Sequence, residues 1–324
     1  MSTEGGTRAI VAALSANLGI AVTKFVAFLL TRSSSMLAES IHSLADSGNQ
    51  LLLLIGGRRA ARAATPEHPF GYGRQRYVYA FVVSIVLFSV GGLFALYEGV
   101  HKWLHPEPIT GRWWWVPLLV LVVSIGLEGY SFRTAIVESD RTRGAQSWPQ
   151  FVRTAKSPEL PVVLLEDTAA LLGLVLALFG VGLTLITGDG RWDGAGTALI
   201  GVLLVIVAGI LAIEMNSLLI GEAASLEQVA AIERALLGGA VQRVIHMKTM
   251  HLGPEELLVA AKIAVGPLER AADVAEAIDA AERRVRVAVP IARMIYLEPD
   301  VDRAGRAVDP AARAGLPSET SREV

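Results

Sequence analysis

Six long apolar blocks fill the first two thirds of the chain: roughly Ala9 to Thr31, Ser35 to Gly57, Tyr77 to Val100, Trp113 to Val137, Pro161 to Thr187 and Gly194 to Gly221. Each reaches the ~20 residues that a helix needs to cross a hydrocarbon core. Beyond Gly221 the pattern becomes amphipathic. Leu226 to Leu237 has helical spacing, Val241 to His251 and Glu256 to Val265 alternate like strands around a Gly253-Pro254 turn, Arg270 to Val287 is helical again, and Ala292 to Leu297 alternates. The pattern predicts a multi-pass α-helical membrane domain of six spans over 1–221, then a small α+β domain in the order αββαβ over 222–299. The tail over 300–324, rich in Ala, Arg, Pro, Ser and Glu, reads as disordered.

The second block breaks its own apolar pattern. Ser35, Glu39, His42, Asp46 and Asn49 recur at steps of four and three, so a helix carries them as one polar stripe, while Met36, Leu37, Ile41 and Leu44 point elsewhere. An ionisable side chain at bilayer depth costs at least ~2.5 kcal/mol unless it faces protein or water. His42 and Asp46 lie one turn apart, with Cβ atoms ~6 Å from each other, and can supply two ligands of a divalent metal such as zinc. The structural alternative is a His-Asp hydrogen bond pinning two helices; the membrane penalty favours the ligand reading.

The fifth block carries adjacent carboxylates, Glu166 and Asp167, in the run VVLLEDTAALLG. Successive helical positions lie ~100° apart, so the two straddle a spot rather than share it. Their charges call for a shared cation or proton. Val163, Glu166, Ala170 and Gly173 share a face whose small or apolar neighbours offer a buried carboxylate few protein partners. Ala169, Ala170, Gly173, Ala177 and Gly180 let a neighbouring helix approach closely, which pairs the fifth block with the second. Lys24 is open between snorkelling and function, Asn17 is foremost an interhelical hydrogen bond and secondarily an accessory ligand, and Glu98 and Glu128 stay unassigned.

Composition agrees with the pattern. The 324 residues are 52% hydrophobic, with a mean hydropathy of +0.48, far above ordinary globular usage. A net charge of -2 gives no bias toward nucleic acid, and the absence of cysteine excludes disulfides and thiolate metal sites. The opening MSTEGGTRAI lacks a secretory pattern, so the first block is expected to remain in the mature protein. Arg58, Arg59, Arg62, Arg74 and Arg76 follow the second block, and Arg141, Arg143, Arg153 and Lys156 follow the fourth, which places both termini in the cytoplasm. Trp113, Trp114 and Trp115 form an interfacial belt at the outer side.

The run SSSMLAESIHSLADSGNQ, the loop HPFGYGRQRYVYAF, the VVLLEDTAALLG and WDGAGTALIG helix starts and the NSLLIGEA exit, taken in order, resemble the cation diffusion facilitator family of metal/proton antiporters. The resemblance covers nearly the whole chain to about Leu297. Its Leu165-Glu166-Asp167 run is most similar to the branch that includes zinc transporter nine. It implies six transmembrane helices, a cytoplasmic ferredoxin-like domain, a homodimer in the cell (plasma or inner) membrane, and a transport site shared by the second and fifth helices. Carried over by position, His42 and Asp46 match the first pair and Asp167 the second member of the other. The remaining member falls on Val163, which cannot ligate; Glu166 is the replacement expected, with Asn17 and Glu39 accessory. Zinc is the foremost substrate expected, while so carboxylate-rich a set, harder than one with two histidines, makes manganese, iron or cobalt more plausible.

Three function classes follow. One is a transporter that exchanges a divalent cation for protons, with the metal as substrate and no resident cofactor. The others are an intramembrane metalloenzyme using the same ligands to activate water and a metal-responsive scaffold without turnover. No second catalytic set is recognisable, and the family resemblance makes transport the expectation. His246 and His251, five apart on a strand, face opposite sides and do not make a metal site within one subunit.

Overall fold

The computed structural model describes residues 3–31, 34–106, 114–266 and 270–300; side chains at 3–8, 27–28, 30–31, 34–39 and 41–42 lie outside the description. The expected tail beyond Asp300 therefore lies outside the described residues. The chain divides into two compact units, Met1–Glu222 with Met250–Leu257, and Ala223–Thr249 with the chain from Leu258 on.

The first unit is a helix bundle. Helix α1 spans Thr3–Thr31, α2 Ser34–Ala60 and α3 Gln75–Val86; a π-helical segment over Leu87–Leu93 joins α3 to α4, Phe94–Leu104. Then come α5 (Val116–Arg143), the short α6 (Trp148–Thr154), α7 (Glu159–Thr187) and α8 (Arg191–Ile220). Among the described residues, five helical stretches are long and apolar enough to cross a membrane: Ala9–Val26, Gln75–Leu104, Val116–Arg143, Glu159–Thr187 and Arg191–Ile220. Helix α2 has the length but not the composition, because its polar stripe lowers its hydropathy.

Packing neighbours close a ring: α2 on α1, α1 on α5, α5 on α7, α7 on α8, α8 on α3 and α4, and α3 on α2. Lipid is as apolar as leucine, so such helices are held by close packing and polar contacts rather than by burial from water. Outward positions are accordingly apolar, as at Leu18, Val22, Phe88, Val122, Phe179 and Ile206. Glycine sets the closest approaches. A Cβ at Gly99 would meet the Ala198 nitrogen at 2.4 Å, one at Gly201 the Leu96 nitrogen at 2.6 Å, and one at Gly194 the Trp103 nitrogen at 2.7 Å. The small-residue stripe of α7 serves the same purpose against α8, where a Cβ at Gly180 would meet the Trp192 carbonyl oxygen at 2.9 Å. The expectation that this stripe pairs the fifth block with the second is corrected: it packs on the last membrane helix, and α2 reaches α7 through side chains instead.

The second unit builds α9 (Leu226–Leu236), a three-stranded sheet in the order β1-β2-β3 and α10 (Ala271–Ala288). Strand β1 spans Val241–Gly253, β2 Glu256–Val265 and β3 Ala292–Asp300, and the turn between β1 and β2 groups with the first unit. Helix α9 begins with a capping box, in which Ser225 accepts from the Gln228 backbone and the Gln228 side chain accepts from the Ser225 backbone. The αββαβ order is as expected. His246 is exposed, whereas His251 is buried with Nδ1 3.3 Å from the Gly253 carbonyl oxygen. Burial pushes the His251 imidazole below its usual pKa.

Candidate functional site

The inward faces of the ring line a partly open cavity of about 110 Å³, whose polar lining includes Asn17 and Lys24 of α1, Ser43 and Asp46 of α2, Glu128 of α5 and Glu166 of α7. Glu98 and Lys102 of α4 continue the same lining. Helical spacing delivers these groups. Asn17, Ile20 and Lys24 stand three and four apart on α1, and Ser43 and Asp46 three apart on α2. Lys24, 4% exposed, donates to Ser43 Oγ at 3.0 Å, so it is a buried interior cation rather than a snorkelling one.

The adjacent acids of α7 diverge as their ~100° separation requires. Glu166 turns to α2 and accepts from Asn49 Nδ2 at 3.0 Å and from Gln50 Nε2. Asp167 turns to α5, where Ser131 Oγ donates to its Oδ2 at 2.7 Å; its Oδ1 is buried with no hydrogen-bond partner. Glu128, 2% exposed, lies within electrostatic reach of Asp46, Glu166, Asp167 and Lys24. Carboxylates of α2, α5 and α7 thus share one cavity lining with the Lys24 ammonium.

The expectation that Glu166 has few protein partners is corrected: two amide donors hold it, because Asn49 and Gln50 of α2 reach the α7 face on which it stands. Val163 is wholly buried in the apolar core. His42 and Glu39 have side chains outside the described residues. Among the described residues no three His, Asp or Glu side chains are arranged to hold a metal ion. Asp46 and Glu166 line the cavity; Asp167 stands one residue further on, bonded to Ser131.

Glu128 is the site residue that the sequence left unassigned. A signal for it existed: Ser124, Glu128 and Ser131 recur at steps of four and three within an apolar helix, the same kind of stripe that marks α2, and all three are buried. Asp193 sits in the first turn of α8 and pairs with Lys102 Nζ at 3.1 Å, while the cap position belongs to Gly190.

Residues 10–220 match the family described as the cation efflux transmembrane domain. Over 233 residues, 71% of this chain and 41% of the relative, the sequence is 35% identical to the mitochondrial proton-coupled zinc antiporter SLC30A9 of Homo sapiens. It is 27% identical over 260 residues to metal tolerance protein C4 of Arabidopsis thaliana, 79% of this chain and 56% of that one. It is 29% identical over 122 residues to magnetosome protein MamM of Magnetospirillum gryphiswaldense, 36% of this chain and 37% of that one. The matched stretch thus spans about two fifths of the length of the human relative.

Proposed function

Because the chain belongs to the cation efflux family and its helix ring gathers acids of α2, α5 and α7 around one cavity, we propose that it is a secondary transporter exporting a divalent transition-metal cation, zinc foremost, in exchange for protons. The observation that carries the reading is that cavity, whose lining includes Asp46, Glu128 and Glu166 within an apolar bundle. A site that assembles anionic ligands there can offset the loss of an ion's hydration shell. The name of the human relative, a proton-coupled zinc antiporter, supports the choice of substrate and of counter-ion.

In this reading α2 is the sixth span. Its 27 residues extend ~40 Å at ~1.5 Å per residue, its Leu44 and Leu51 are exposed where lipid would lie, and its Ser43 and Asp46 turn to the cavity. The second unit is a cytoplasmic ferredoxin-like domain, supported by its element order; both termini are cytoplasmic, supported by the basic residues in the α2–α3 and α5–α7 connections; and the family resemblance implies a homodimer in the cell membrane. The transport ligands are Asp46, Asp167, Glu166 and His42, joined by Glu128, with Asn17 and Glu39 accessory. Loading the site requires Glu166 to exchange the Asn49 and Gln50 amides for the cation.

Stopped-flow flux into proteoliposomes, with a panel of divalent metals and an imposed pH gradient, tests the proposal. Zinc uptake driven by the opposing gradient is the expected result. Metal binding without flux would favour a scaffold, and flux indifferent to the gradient a channel.

A further inference from the structure

We propose that Lys24 is a tethered counter-cation of the transport cavity: its ammonium occupies the acidic cluster when no metal is bound and must yield when a divalent cation enters. The inference rests on the transport reading above. Lys24 is 4% exposed in a helix long and apolar enough to cross a membrane, where a charged side chain persists only among partners. Its Nζ is fixed by Ser43 Oγ at 3.0 Å, and Ser43 stands three residues before Asp46 on the same face of α2. The cavity wall that holds Lys24 also holds Asp46, Glu128 and Glu166.

Two consequences follow from Coulomb's law in a site of low dielectric. An ammonium within the cluster weakens binding of any cation there, and it supplies positive charge that lets the empty cavity persist inside the bilayer. Lys24 therefore sets affinity and turnover in opposite directions. A group that merely packed α1 on α2 would not do this, because losing packing would weaken binding and transport together. Lys24 is a positioning and charge-balancing residue in this scheme and donates nothing to the metal.

The test uses the full chain, with zinc as the probe. Lys24→Met removes the charge and keeps the length; Lys24→Gln also keeps a donor for Ser43 and serves if the methionine variant fails to fold. Either neutral variant is expected to bind zinc at least tenfold more tightly by equilibrium titration in detergent and to turn over at least tenfold more slowly in proteoliposomes, lowering both KM and kcat. Lys24→Arg is expected to keep affinity within threefold of the unaltered chain. Unchanged or weaker zinc binding by a folded neutral variant overturns the counter-cation. An unaltered chain that binds no divalent metal would instead overturn the transport reading itself.

Discussion

The two units of the chain differ in what their interiors admit: the helix ring adds polar groups to an apolar core, and the second unit does not. Among the described residues, the helix ring buries Asn17, Lys24, Ser43, Asn49, Gln50, Ser124, Glu128, Ser131, Glu166 and Asp167. The buried positions of the second unit are apolar, among them Ile232, Leu236, Val259, Ile263, Val285 and Ile295. The difference follows from solvent. A domain in water gains roughly 1.5–3 kcal/mol for each large apolar side chain that it buries, so its stability lives in its core. A bundle in lipid gains nothing comparable, so its interior is free to hold polar groups, provided that each finds a partner. Stability and chemistry are therefore separable in this chain: the polar interior is where function is lost, and the apolar interior is where folding is lost.

The sharpest break of that comparison is at the carboxylates. Asp46→Ala or Asp167→Ala should lower zinc flux at least a hundredfold, about 2.7 kcal/mol, while the purified protein keeps its elution profile and helicity; ordinary flux by both folded variants would remove them from the site. Next comes the apolar interior of the second unit. Ile263→Ala should cost ~2–5 kcal/mol of that domain's stability, read by denaturant titration of its native-state hydrogen exchange, and flux per folded molecule should stay within threefold. Glu166→Gln should reduce flux about tenfold, since a neutral carboxamide is a weaker ligand for a divalent cation than a carboxylate, while it can still bond to α2. Unaltered zinc affinity and flux in that variant would assign Glu166 to interhelical bonding alone, leaving His42, Asp46 and Asp167 with water.

The smallest effect concerns His251, the buried histidine outside the membrane helices. Its folded pKa lies below the ordinary value because burial disfavours the imidazolium. An unfolded chain then binds more protons than the folded one below pH ~6.5, so the stabilising contribution is present above that pH and is lost as pH falls through the folded pKa. Hydrogen exchange of the Leu252 amide should accelerate on acidification from neutral pH beyond the slope of the surrounding strand, and His251→Leu should flatten the dependence. An identical pH slope in both proteins would detach the strand tip from this titration.

Much of this architecture is legible in the sequence, for identifiable reasons. Five apolar blocks of membrane length and the three expected strands return as elements of the structure, and β2 keeps its alternation of more and less buried positions. The stripe through His42 and Asp46 marks α2 as the polar helix even though hydropathy passes over it. What is not legible depends on partners. Nothing in VVLLEDTAALLG says that Glu166 meets Asn49 and Gln50, because those amides lie more than a hundred residues away in sequence. The small-residue stripe of α7 announces a close neighbour without naming it, and α8 rather than α2 takes the place. The π-helical turn over Leu87–Leu93 has no composition of its own to betray it.

The glycine contacts of α8 have a mechanical consequence. Where Gly99, Gly194 and Gly201 bring main chains of α4 and α8 together, no side chain intervenes whose rotation could absorb a displacement. Two such helices cannot slide or tilt against each other without main-chain collision, so they travel as one plank. The neighbouring seam between α1 and α2 is fastened differently, by the Ser40 hydroxyl on the Ala21 carbonyl and by the long Lys24 arm on Ser43. Hydroxyls and a flexible ammonium can change partners at small cost. Any rocking that opens this bundle first to one side of the membrane and then to the other has its stiff member in α4 and α8 and its compliant joint along α1 and α2.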